Sequence, residues 1–144
     1  RVAFEQAKWL KKVNHTVDIY TTDETKDTFD FNSVANNVTI YPFSESKDRI
    51  KRDFGIFFRL KNLHKKIAQN IDSKKYDVVL VHPDRLTQAP FILRFLKTPN
   101  FYYCQEPLRI AYEYALRFKE SVGLHKILYE ELTRWYRKKL IGKM

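Results

Sequence analysis

Three side chains that can transfer a proton or bind an anion follow an apolar run near the middle of the chain. His82, Asp84 and Arg85 come directly after residues 76–81, which read YDVVLV. A histidine can exchange a proton near neutral pH, and an arginine can hold a phosphate or carboxylate through paired hydrogen bonds. The alternative is structural, with Asp84 capping a following helix and Arg85 in solvent.

A second group of polar residues follows the next apolar run, residues 100–104 (NFYYC). Gln105 and Glu106 precede Pro107, a sequence typical of a turn, and Arg109 falls in the first turn of a predicted helix. A cation there opposes the helix dipole, which indicates another role such as anion binding. A plain surface turn is the alternative.

The elements that position these two groups form a strand–helix–strand pattern. A helix is predicted over residues 87–97, between strands at residues 78–81 and 100–104. Strands joined by a helix run parallel, so both groups would lie at the carboxyl edge of one sheet. Ligands of open α/β sheets bind at that edge. The sequence therefore predicts a binding site there.

The rest of the chain continues the alternation of helices and strands. Strands are predicted over residues 16–22 and 38–41, and helices over residues 2–13, 48–71, 108–120 and 124–140. Gly55 would bend or divide the helix over residues 48–71. The order predicts an α/β fold, a Rossmann-like, mostly parallel sheet with helices on both faces. A sheet of this type needs a strand before the first helix, so its first, central strand is expected to be missing from this chain.

Composition limits the class of protein. The chain has 144 residues with 44% hydrophobic and 15% aromatic residues, which is typical of one folded domain and excludes a disordered chain. The single cysteine, Cys104, is interpreted as a small buried strand residue and favours a reducing compartment. The four histidines are scattered, so no metal site is predicted. No apolar run reaches the roughly 20 residues that span a bilayer.

The net charge of +10 indicates an anionic partner. Cations concentrate in the helix predicted over residues 48–71, beside an Ile/Phe/Leu stripe. One interpretation is a helix on an anionic membrane surface, and the other is a core helix with a solvated basic back. One stripe cannot bury Ile56, Phe57 and Phe58 together. The predicted membrane-surface residues are Lys51, Arg52, Lys61 and Lys65.

Two segments together resemble a known enzyme family. Residues 1–23, RVAFEQAKWLKKVNHTVDIYTTD, resemble the first helix and second strand of family 4 glycosyltransferases, which have the GT-B fold. Residues 76–113, YDVVLVHPDRLTQAPFILRFLKTPNFYYCQEPLRIAYE, resemble that family's fourth strand, helix and fifth strand. The resemblance implies that residues 1–144 are part of the N-terminal, acceptor-binding domain, with the C-terminal donor-binding domain absent from this chain.

The resemblance also implies an activity. The whole enzyme would transfer a sugar from a nucleotide-sugar to a lipid-linked or polysaccharide acceptor, as a peripheral protein at the cytoplasmic face of the membrane. The nucleotide-sugar is a co-substrate, no cofactor is implied and no nucleic-acid partner is expected. The fragment alone would be inactive.

One departure from the family leaves the catalytic residue open. Many relatives carry a histidine at the end of the fifth strand, where this chain has Gln105, and a glutamine cannot act as a general base. Glu106 and His82 are the catalytic candidates. The residues expected to line the acceptor cleft are Asp84, Arg85, Gln105 and Arg109.

Two other functions remain open. The charge together with Phe57, Phe58, Trp135 and Tyr136 is compatible with a non-enzymatic nucleic-acid-binding module. Another kind of Rossmann-like ligand-binding module is the further alternative. In the strand order 3-2-1-4-5 the strands near residues 16–22 and 78–82 would flank the central strand. We therefore expect a gap between these two strands, or their direct pairing.

Overall fold

The computed structural model describes residues 1–22, 29–84, 86–87 and 89–104 and four later positions, 128, 131, 132 and 135. The backbone forms two compact units, Arg1–Asn70 and Ile71–Met144. Each unit contains short parallel strands together with helices or helical turns. The mixed α/β class that the sequence predicts is therefore confirmed.

The first unit begins with helix α1, Val2–Lys12, close to the predicted 2–13. It ends in a Schellman motif: His15 N–H donates to the Leu10 carbonyl at 3.0 Å and Asn14 N–H to the Lys11 carbonyl at 3.1 Å. Asn14 takes a φ of 65°, a left-handed conformation that asparagine tolerates better than most residues. Asn14 and His15 therefore form the end of this helix.

Strands β1, Asp18–Thr21, and β2, Asn37–Ile40, pair in parallel, with Asp18 opposite Asn37. Between them a 3₁₀ turn, Phe31–Ser33, is capped by Asp30, which accepts a hydrogen bond from Asn32 N–H at 3.1 Å. Phe4 of α1 packs against Phe29 and Phe31, with ring centroids 5.3 and 5.8 Å away. These contacts hold α1 to the connection between the two strands.

The long helix of residues 48–71 is present but is not uniform. It comprises α2, Arg49–Phe54, a π-helical segment, Gly55–Leu60, and α3, Lys61–Ser73. Asp48 caps its start by accepting a hydrogen bond from Lys51 N–H at 2.9 Å. Gly55 marks the change of winding, as the sequence suggested, because the π-helical segment begins there.

The second unit contains strands β3, Val79–Val81, and β4, Asn100–Tyr102, which also pair in parallel. The helix predicted over residues 87–97 is wrong, because the described residues of that range form only a 3₁₀ turn, Phe91–Arg94. Pro90 precedes it with an extended ψ of 137°. Proline has no N–H and disfavours helical geometry at the residue before it, so a helix cannot run through this position.

In the part of the chain described, the strands form two separate two-stranded sheets, β1–β2 and β3–β4. The predicted helices at residues 108–120 and 124–140 lie outside the described residues, apart from four helical positions, Leu128, Glu131, Leu132 and Trp135. The prediction of a buried Cys104 is wrong, because its side chain is exposed.

Candidate site at the carboxyl ends of β3 and β4

The parallel register of β3 and β4 brings two ring side chains together where the strands end. Val81 lies opposite Tyr102, and Tyr103 N–H donates to the Val81 carbonyl at 2.9 Å. One residue further on, the rings of His82 and Tyr103 lie with centroids 5.6 Å apart and planes at 44°. The carboxyl ends of these two strands therefore meet at one edge, as the sequence predicted.

His82 is half-buried at this edge. Burial disfavours the charged imidazolium and lowers the pKa of His82 below its ordinary value of 6.5. The imidazole is therefore neutral at pH 7, with one nitrogen able to accept a hydrogen bond or a proton and the other able to donate. This state suits either a general base or a neutral contact to a ligand hydroxyl.

Asp84 stabilises the turn that follows β3. Its carboxylate accepts hydrogen bonds from Leu86 N–H at 2.7 Å and Thr87 N–H at 2.5 Å, and the Thr87 hydroxyl donates to its second oxygen. These hydrogen bonds support the interpretation of Asp84 as a capping residue, although Asp84 caps a turn and not a helix. Its hydrogen bonds fix the path of the chain just after His82.

Tyr102 is a residue of this edge that the sequence did not single out. Burial raises the pKa of Tyr102 to about 12, and its interactions with Cys104 and Asp84 add to the effect. Its hydroxyl therefore stays protonated and remains a hydrogen-bond donor at neutral pH. The run FYYC could have revealed this residue. Successive strand residues point to opposite faces of the sheet, so Tyr102 and Tyr103 must lie on different faces.

Asp72, at the end of α3, fixes the chain just before β4. Its carboxylate accepts hydrogen bonds from Thr98 N–H at 2.9 Å, the Thr98 hydroxyl at 2.7 Å and Lys97 N–H at 3.1 Å. Burial acts to raise the pKa of Asp72, but the hydrogen bonds from Thr98 and Lys97 outweigh it and leave the pKa below the ordinary 3.8. Asp72 thus positions the strand that carries Tyr102 and Tyr103, a role that the sequence did not reveal.

Four of the predicted site residues fall outside the described part of the chain. They are Arg85, Gln105, Glu106 and Arg109. The structure therefore brings together His82 and Asp84 with Tyr102, Tyr103 and Cys104, and the acceptor-cleft and catalytic roles of the other residues stay predictions.

The predicted membrane-surface residues lie on the long helix. Lys51 and Lys65 are exposed, Lys61 is partly exposed, and the Arg52 side chain is 42% exposed with its Nε 4.0 Å from the Asp53 carboxylate. The same helix exposes three large apolar side chains, Ile50 at 69%, Phe54 at 61% and Phe58 at 49%. We call Ile50, Phe54 and Phe58 the exposed ridge.

The described residues contain neither a metal-binding cluster nor a membrane-spanning helix. No group of three or more His, Cys, Asp or Glu side chains within the described ranges could hold a metal ion. Among the same residues, none of the helices is both long enough and apolar enough to cross a bilayer.

The chain matches no protein-family model, and neither the curated proteins nor the solved structures contain a match to it.

Proposed function

We propose that this chain is the acceptor-binding part of a glycosyltransferase, built on a Rossmann-like sheet. Two parallel strand pairs support the fold, because β1–β2 and β3–β4 are the neighbours that the order 3-2-1-4-5 requires on either side of its central strand. The whole enzyme would use a nucleotide-sugar donor and a lipid-linked or polysaccharide acceptor at the cytoplasmic membrane face.

The observation that carries the proposal is the contact between His82 and Tyr103 at the carboxyl edge of β3–β4. Ring side chains combine an apolar face with a polar tip, and a sugar ring presents the same combination. The neutral imidazole of His82 supplies an uncharged hydrogen-bond partner for sugar hydroxyls. Asp84 holds the turn beside them, and Glu106 and His82 remain the candidates for the catalytic base.

Binding experiments with the 144-residue chain test the proposal. Saturation-transfer NMR would compare short-chain isoprenoid-phosphate sugars, neutral oligosaccharides, nucleotide-sugars alone and a single-stranded oligonucleotide. We expect binding to a member of the first two classes, and no sugar transfer, since an acceptor-binding part by itself does not hold the donor. Binding only to the oligonucleotide would favour the nucleic-acid-binding alternative instead.

A substitution at His82 locates the binding site. His82→Asn should weaken acceptor binding about three- to tenfold, the range for losing one hydrogen bond between uncharged groups. The matched control is His15→Asn, because His15 is exposed at the end of α1 and has no proposed role. If the two variants bound the acceptor equally well, the binding site would not lie at this edge.

The pH dependence gives a second readout of the same residue. The pKa of His82 is lowered on folding, so the unfolded chain binds the proton more readily. The contribution of His82 to stability is therefore complete above pH 6.5 and is lost as the pH falls through its lower folded-state pKa. Urea unfolding at pH 5 to 7.5 should show this slope in the wild type and a reduced slope in His82→Asn, whereas an unchanged slope would mean that His82 is not buried as described.

A further inference from the structure

We propose that the exposed ridge inserts into the surface of an anionic bilayer, with the cations around it contacting lipid headgroups. Ile50, Phe54 and Phe58 are four residues apart, so they lie along one face of the helix. The Phe54 and Phe58 rings are in contact, with centroids 4.5 Å apart and planes at 33°. Together they form a continuous apolar surface that the described part of the chain leaves largely exposed.

The other side of the same helix is packed, which fixes the direction in which the ridge faces. Gly55 and Leu60 are buried, and a Cβ on Gly55 would lie 3.9 Å from the Phe43 ring. The Arg59 guanidinium carbon lies 5.7 Å from the centroid of that same ring. Phe43 therefore covers the side of the helix next to Gly55, and the ridge is left facing outward.

Charge complementarity identifies the occupant of this surface. Between residues 47 and 61 the chain has six Lys and Arg residues and two Asp residues, within a chain of net charge +10. Asp48 is occupied in capping the helix, and Asp53 lies beside Arg52. A helix with exposed aromatic residues on one face and an excess of cations around them is typical of helices that lie in the headgroup region of anionic membranes.

The proposal supplies the membrane contact that the proposed function calls for, but it does not depend on the site at β3 and β4. Binding to vesicles needs neither acceptor nor donor, so the two proposals can fail separately. A chain that binds sugars but not vesicles would overturn only the present one.

Co-sedimentation with vesicles tests the surface. The chain should bind vesicles containing phosphatidylglycerol and should bind pure phosphatidylcholine vesicles far more weakly. Phe54→Ser with Phe58→Ser should reduce binding about a hundredfold, at roughly tenfold for each aromatic side chain withdrawn from lipid. Lys51→Gln with Arg52→Gln should reduce it about thirtyfold, at roughly fivefold for each cation.

A matched control separates this helix from the overall charge. Lys8→Gln with Lys12→Gln removes the same charge from exposed positions on α1 and should change binding less than threefold, the effect expected of distant, screened charges. Equal losses from the two pairs, or full binding by the Phe double variant, would show nonspecific charge attraction and overturn insertion. Binding to a single-stranded oligonucleotide or concentration-dependent dimerisation, without vesicle binding, would assign the ridge to that partner.

Fluorescence reports insertion directly. A tryptophan introduced by Phe54→Trp, with Trp9 and Trp135 changed to Phe, should shift its emission to the blue and be quenched by lipids brominated on the acyl chain. The comparison variant is Gln69→Trp in the same background, because Gln69 is exposed on α3 beside Lys65 and Lys66. We expect little quenching at position 69, and equal quenching at the two positions would contradict insertion by the ridge.

Discussion

Both halves of the long helix carry apolar residues four positions apart, but these residues are exposed in one half and buried in the other. In α2 and the π-helical segment, Ile50, Phe54 and Phe58 are exposed, whereas in α3 Ile67, Ala68 and Ile71 are almost completely buried. Periodicity shows that the apolar residues share a face, but not whether anything covers that face. Ile67 follows Phe58 by nine residues, about two and a half turns of a regular α-helix, so the two sets of apolar residues would lie on different sides even of an uninterrupted helix.

The difference matters because buried and exposed positions of this helix can be altered separately. The buried positions contribute to stability through packing, and the exposed ridge leaves a surface available for a partner. The vesicle experiments probe the exposed half, and three stability measurements examine the comparison itself, beginning with the largest expected effect.

Leu60→Ala should be the most destabilising of these changes. Leu60 is 1% exposed, so its removal leaves a cavity and should lower the free energy of unfolding by about 2–5 kcal/mol. Phe58→Ala, two residues away, should cost about 1 kcal/mol or less, since the ring is half exposed and loses mainly its contact with Phe54. Urea unfolding followed by circular dichroism gives both values, and similar losses would mean that the two positions are not packed differently.

Asp72→Ala should have the next largest effect, because it removes the acceptor for Thr98 and Lys97 at the end of the buried half. We expect a loss of about 1–3 kcal/mol at pH 7. Since the pKa of Asp72 is lowered below 3.8 on folding, this stabilisation is complete above the unfolded-state value and is lost as the pH falls through the folded-state pKa. The wild type and the variant should therefore converge in acid.

Asp77→Ala is the control for that measurement, because it removes an exposed carboxylate from the loop before β3. It should change the unfolding free energy by less than about 0.5 kcal/mol at any pH. A loss equal to that of Asp72→Ala would indicate a general charge effect rather than the hydrogen bonds to Thr98.

Gly55→Ala tests the junction between the halves and should have the smallest effect. Gly55 has helical dihedral angles, φ −58° and ψ −45°, and an added Cβ would make an ordinary contact with Phe43 at 3.9 Å. Alanine should therefore raise the unfolding free energy by about 0.5–1 kcal/mol by restricting the unfolded chain. A loss of stability in thermal unfolding would show that the π-helical winding needs a glycine at this position.

The sequence by itself determined the parts of the molecule that depend on local rules. Alternating residues predicted the strand near residues 18–21 and a continuous apolar run predicted the strand near residues 79–81, because strand formation depends on a few adjacent residues. The edge at β3 and β4 was predictable for the same reason, since parallel strands place their carboxyl ends together. The helix at residues 87–97 was predicted wrongly, although Pro90 and its missing N–H were visible in the sequence.

Only the tertiary structure decided which apolar residues are covered and which polar residues meet. Asp72 and Thr98 lie 26 positions apart, and Asn70 donates to the Tyr41 hydroxyl across 29 positions, so no local pattern reveals either pair. The residues of the exposed ridge are four positions apart, and so are the buried residues Ile67 and Ile71 of α3. Whether such residues are buried depends on which parts of the chain pack against each turn. Helical spacing is a property of one segment, whereas burial and hydrogen bonding between distant residues are properties of the folded chain.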